Sequence, residues 1–159
     1  MLLVIFAVYA CILLSDSLPK NSDTRALLKT WHFTLGLTVL LLVGVRLMAK
    51  LHGATPVIEP PVARWQDMSA KAVQALLYGL MFAMPVLGWL TLSASGKPIP
   101  FYGLQLPTLI AENKYLAETI KEIHEAGAAA IYFLVGLHTV AALYHHYFVR
   151  DNTLRRMLP

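Results

Sequence analysis

Two pairs of residues in this chain repeat one interval: His124 and His138 lie 14 residues apart, and so do His32 and Arg46. On a helix, 14 residues turn the chain by about 1400°, about 40° short of four full turns, so each pair faces one side. The axial separation within each pair is about 21 Å. A metal–nitrogen bond is about 2 Å, so one ion cannot join both histidines of a helix, whereas two stacked sites can use one each. If the helices of His32 and His124 run in the same direction, these imidazoles share one depth and Arg46 and His138 share a deeper one. A planar macrocycle between the two helices then takes axial nitrogens from His32 and His124.

The neighbours of these histidines admit two readings. Gly36 and Gly127 each follow a histidine by one turn. A missing side chain there leaves room for the face of a macrocycle, or it tightens helix packing, as small residues do in membranes. His145 continues the face of His138, offset by about 20°. It suits a hydrogen bond to a quinone carbonyl or a position at the membrane edge with its ring reaching the headgroups. His146 points about 100° away, and His52 falls beyond its helix, where solvent satisfies it. The single cysteine, Cys11, is expected to be a buried free thiol.

Such positions need helices in an apolar medium. Of the 159 residues, 57% are hydrophobic and only 14% charged, too apolar for a single water-facing domain. Disordered, nucleic-acid-binding and disulfide-scaffold classes are excluded on that ground. The expected fold is all-α: one integral membrane domain over 1–159, a four-helix bundle with a planar group held between helices. Its helices are expected at about 1–14, 29–51, 70–94 and 122–148, within charge-poor stretches. The last two are long enough for a hydrocarbon core of about 30 Å, whereas the first, at about 21 Å, is short of it. It lacks the basic start and cleavage pattern of a signal peptide. It is expected to be a transmembrane helix whose beginning is missing or unusually short. Pro56, Pro60 and Pro61 make the connection between helices two and three extended. Leu116–Glu125 reads as a short surface helix, and Pro85 should bend helix three.

The net charge of +4 is expected to serve topology and anionic headgroups in the lipid bilayer. Arg46, Lys50, Arg64, Lys71, Arg150, Arg155 and Arg156 fall on one side. Lys20, Arg25, Lys29, Lys97, Lys114 and Lys121 fall on the other. That slight excess places the C-terminus in the cytoplasm.

The pattern resembles the prokaryotic cytochrome b561 family, four-helix dihaem cytochromes of bacterial inner membranes that include superoxide oxidase. The resemblance lies in Trp31-His32-Phe33-Thr34-Leu35-Gly36 with Arg46, in Met84-Pro85-Val86-Leu87-Gly88, and in the loop from Gly96 to Gly103. Most specific are Ile123-His124-Glu125, Gly136-Leu137-His138, His145-His146-Tyr147-Phe148 and the run from Asp151 to Met157. It spans essentially the whole chain.

The resemblance implies two b-type haems. His32 and His124 would be axial to the outer one and His138 would serve the inner one, with Arg46 near an inner propionate. The inner haem's other family ligand is a histidine near the start of helix one, and none occurs in Met1–Cys11. The resemblance therefore leaves that haem absent, five-coordinate, or completed by residues missing from this chain, and suggests that the start of helix one is lacking.

The function it implies is electron transfer to the quinone pool, as a superoxide:ubiquinone oxidoreductase with superoxide as donor. Lys20, Arg25, Lys29, Lys114 and Lys121 would attract the anion, unless they merely solvate their loops. Alternatives are a haem-bearing subunit serving a dehydrogenase, hydrogenase or soluble donor protein, and a product with incomplete cofactor loading. Metal transport fits poorly with histidines so far apart.

Overall fold

The computed structural model describes residues 1–53 and 63–152. The expected extended connection at Pro56, Pro60 and Pro61, and the terminal Arg155 and Arg156, lie outside them. Among the described residues the chain forms four α-helices: α1 Leu2–Asp16, α2 Asp23–His52, α3 Arg64–Ala94 and α4 Lys114–Tyr144. A π-helical turn, His145–Val149, continues α4. The result is an all-α membrane helical bundle. α2, α3 and α4 with its π turn have 30, 31 and 36 residues and the apolar composition to cross a membrane. α1 is apolar but has only 15 residues, about 22 Å of helix.

The helices begin before the charge-free stretches do, and their caps give the reason. The Asn113 side chain accepts the Leu116 N–H at 3.0 Å, satisfying one of the first-turn donors that the helix itself leaves unpaired. α4 then runs unbroken from Lys114. The stretch expected as a separate short helix, Leu116–Glu125, is its first turns. Asp23 opens α2, where a carboxylate complements the partial positive charge of a helix start. Arg25 closes the α1–α2 turn, donating to the Leu18 carbonyl at 2.7 Å and pairing with Asp16 at 3.2 Å.

The connection between α3 and α4 contains structure that hydropathy does not announce. Ile99–Phe101 (β1) pairs antiparallel with Leu104–Leu106 (β2). Tyr102 and Gly103 turn the hairpin with φ of 46° and 84°, the left-handed pair that a two-residue hairpin turn requires. The hairpin folds back along α2. Thr34 donates to the Pro100 carbonyl at 3.3 Å, and the Thr38 and Tyr102 hydroxyls lie 3.1 Å apart. Ile99 is 1% exposed and forms the core with Leu37 of α2 and Leu92 of α3. Trp89 donates its indole N–H to the Pro107 carbonyl at 3.0 Å, securing the far side of the loop. Irregular backbone beside a membrane persists only when its polar groups are met in this way.

The helices pack in chain order, α1 on α2, α2 on α3 and α3 on α4. Among the described residues no Cα of α4 comes within 8 Å of one in α1 or α2. The bundle therefore has a seam between α4 and the first two helices, which side chains cross. Tyr9 spans it, donating to the Ala128 carbonyl at 3.0 Å and meeting the Tyr132 ring at 4.2 Å between centroids.

Candidate functional site

The second crossing of the seam is made by the histidines. His32 of α2 and His124 of α4 face each other with ring centroids 6.4 Å apart and planes 76° from parallel. Both are partly buried. His32 Nδ1 lies 3.0 Å from the Val8 carbonyl of α1. A carbonyl only accepts, so Nδ1 carries the hydrogen and the neutral ring keeps its lone pair on Nε2. His124 is held less squarely: its buried Nδ1 meets no partner in full hydrogen-bond geometry among the described residues, while its ring lies within reach of the Met84 backbone. A buried nitrogen without a partner is costly unless a ligand uses the ring.

The space around the pair is lined by Phe33, Gly36, Gly88, Trp89 and Ile99. Gly88 lies beside His124, where a Cβ would be in ordinary contact at 3.4 Å from the His124 Cε1. The two glycines singled out by spacing differ. At Gly36 a Cβ would meet nothing within 4 Å, so open space follows His32 by one turn. At Gly127 a Cβ would meet Met84 Sδ at 2.5 Å, so this glycine seats a methionine from α3.

Sequence reasoning missed Val8, Gly88 and Ile99 as parts of this site. Gly88 stands only within the Met84–Gly88 run of the resemblance; no histidine precedes it by one turn, so the spacing that marks Gly36 does not reach it. Val8 contributes a backbone atom and Ile99 a hairpin contact, neither of which has a sequence signature.

The other candidates lie away from the pair. His138 is partly buried, deeper in α4. Arg46 is exposed on α2 and donates through Nε to the Tyr78 hydroxyl of α3 at 3.1 Å. His145 begins the π turn, and its Nδ1 lies 2.5 Å from a carboxylate oxygen of Asp151, whose side chain is fully buried. Arg150, in the left-handed region at φ 58°, reverses the chain so that Asp151 can reach back. His52 ends α2 with Nδ1 2.8 Å from the Met48 carbonyl, and His146 stacks edge-on against Tyr147. Of the expected basic cluster, Arg25 is paired with Asp16, and Lys121 with Glu125 at 2.7 Å.

The whole chain, residues 1–159, matches the family model described as prokaryotic cytochrome b561. The chain belongs to the prokaryotic cytochrome b561 family. It is similar to cytochrome b561 homolog 1 of Escherichia coli (strain K12), with 37% identity over 99% of this chain and 90% of that protein. It is 34% identical to the probable superoxide oxidase CybB of Yersinia pestis, over 99% of this chain and 89% of that one. Cytochrome b562 of Cereibacter sphaeroides is more distant, 28% identical over 90% of this chain and 75% of that one.

A prokaryotic cytochrome b561 is an integral membrane electron-transfer protein, and the family implies b-type haem. The residues here fit that group. An iron bonded to two imidazole nitrogens at about 2 Å each, with each nitrogen about 1.1 Å from its ring centre, needs centroids about 6.2 Å apart. His32 and His124 meet that distance. The cleft at the pair is only about 40 Å³, so the two imidazoles suit the iron while the surrounding side chains must part to admit the ring. What must give is available: Met84 is a flexible side chain, and α4 is free of backbone packing against α1 and α2.

Proposed function

We propose that this cytochrome transfers electrons from superoxide to ubiquinone in the bacterial inner membrane, with His32 and His124 as the axial pair of one haem. The observation that carries the haem assignment is the facing of these two imidazoles across the α2–α4 seam. A b-type haem supplies a one-electron couple whose potential is set by its ligands and burial.

The chain's own residues then have separable tasks. Val8 fixes the tautomer that leaves His32 Nε2 free to bind metal. Phe33, Trp89, Leu92 and Ile99 keep water from the site. Lys20, Lys29 and Lys114 at the helix ends near the hairpin raise the local concentration of an anionic substrate. Gly36 gives a flat group clearance, while Gly127 holds Met84 beside it. His138 is a ligand for a second haem and Arg46 a partner for its propionate. His145, held by Asp151 through Nδ1, offers Nε2 to a quinone carbonyl at the far end of the bundle. In the balanced reaction two superoxide ions become two dioxygen molecules, and one ubiquinone takes up two electrons and two protons.

The kinship to a probable superoxide oxidase supports the donor, and the slight excess of basic residues beside the C-terminus supports its cytoplasmic placement. Purified protein in mild detergent tests the proposal. Superoxide-dependent reduction of a short-chain ubiquinone by the isolated chain is the expected result. Activity only with a co-purifying dehydrogenase, hydrogenase or donor protein points instead to a subunit of a larger assembly.

A further inference from the structure

The proposed quinone ligand His145 stands between two groups that only accept. A carboxylate oxygen of Asp151 lies 2.5 Å from its Nδ1, and the Asp151 side chain is fully buried. On the other side of the ring, Nε2 is the atom offered to a quinone carbonyl, which has no hydrogen to give. Local structure commits the chain to this pairing. The end of α4 widens into the π turn His145–Val149, a form found mostly as single turns and frequently at functional sites. Arg150 then takes the left-handed region at φ 58°, uncommon for a residue with a side chain. The reversal brings the Asp151 N–H to the His145 carbonyl at 3.3 Å and its carboxylate to the same residue's ring. A buried carboxylate is costly unless paired, so strain and desolvation are both committed to holding one ring nitrogen.

We infer that the His145–Asp151 pair is the proton donor of quinone reduction, with His145 the catalytic acid and Asp151 the residue that positions it. The inference rests on the quinone reading above and extends it from holding the substrate to completing its chemistry. Two acceptors facing one imidazole require a hydrogen on each side of the ring: one shared between Asp151 and Nδ1, one on Nε2. Wherever the inner hydrogen sits, the pair carries one proton more than an ionised carboxylate beside an imidazole with bare Nε2. As the quinone takes an electron from the one-electron donor of the proposed reaction, the Nε2–H bond breaks and an O–H bond forms at the carbonyl oxygen. The inner hydrogen stays in place, and bare Nε2 accepts from the new hydroxyl. A second electron and a proton from water complete the quinol at its other oxygen. The His145 side chain is 21% exposed, so water at the end of the bundle returns the proton to Nε2 between turnovers. Among the described residues the π turn packs on α4 alone, and Asp151 is the one charged group within hydrogen-bond distance of the ring.

The test uses the full chain in detergent with a short-chain ubiquinone and superoxide as reductant. The amide of His145→Gln still donates to a carbonyl but holds no transferable proton. This variant should lower kcat by about 100-fold or more, with a much smaller change in KM. Asp151→Asn should also lower kcat, and Asp151→Glu should recover part of that loss. A raised KM with kcat kept in His145→Gln means that the ring only binds substrate, which overturns the inference and leaves the quinone reading intact. If the parent protein neither binds nor reduces the quinone, the quinone reading itself fails and this inference with it.

Should the variants fail to fold, nitrogen NMR of the histidine-labelled parent provides a second measurement that needs no turnover. With the oxidised ubiquinone bound and no reductant present, His145 should carry hydrogen on Nε2. A bare Nε2 in that complex overturns the inference.

Discussion

The two ends of the bundle are built differently. At the hairpin end, α1, α2, α3, β1 and α4 all contribute to one site, and Ile99, Leu37 and Leu92 close over it. At the far end more of the polar groups are met side chain to side chain, beside backbone bonds such as His52 on the Met48 carbonyl. Arg46 pairs with Tyr78, Lys50 with Gln74 at 2.9 Å, and His145 with Asp151. The hairpin end has its polar atoms satisfied mainly by backbone carbonyls, which hold fixed positions. The far end relies on long side chains near the membrane surface, which can rearrange. A buried redox group needs the first arrangement; the proposed exchange with a mobile quinone would be served by the second.

Breaking the hairpin end should have the largest effect. Ile99→Ala truncates the largest fully buried side chain of that end and should cost about 2–5 kcal/mol. It is read as a lower Tm in detergent with a matching fall in haem content. Gly127→Val should follow, since the added atoms meet Met84 and overpacking costs about 1–3 kcal/mol. Combining it with Met84→Ala should recover much of that loss. Strict additivity in the double-mutant cycle would show that the methionine seat is not what Gly127 provides.

These effects rest on features that differ in how far the sequence disclosed them. The histidine pairing was legible, because a 14-residue interval on helices of known pitch fixes the face and depth of each ring. The spanning helices were legible from their charge-free centres. Their starts were not, because Leu116–Glu125, with Glu118 and Lys121, reads as a separate surface helix until the Asn113 cap shows α4 running unbroken from Lys114. The hairpin was also hidden: its strands are three residues each, and Pro98 and Pro100 argue for irregular structure. Gly127 shows the limit of spacing arguments. It stands one turn from a histidine, as Gly36 does, yet only the partner helix reveals that Met84 fills its place.

Smaller changes sharpen the contrast. Thr34→Val breaks the bond that anchors the hairpin to α2 and should cost about 0.5–1.5 kcal/mol. The cost is measured by thermal unfolding, with the haem spectrum preserved. Arg46→Gln, an exposed change at the far end, should stay within about 0.5 kcal/mol of the parent. It should leave the spectrum of the hairpin-end haem unaltered. A shift in that spectrum would mean that the two ends are coupled more tightly than their separate packing implies.

The central claim is that His32 and His124 jointly hold one haem at the hairpin end, and electron paramagnetic resonance of the oxidised protein tests it most directly. Imidazole planes 76° apart predict a strongly anisotropic low-spin ferric signal that disappears in His32→Ala. A parent protein with only high-spin iron, or a low-spin signal that survives His32→Ala unchanged, would contradict the account.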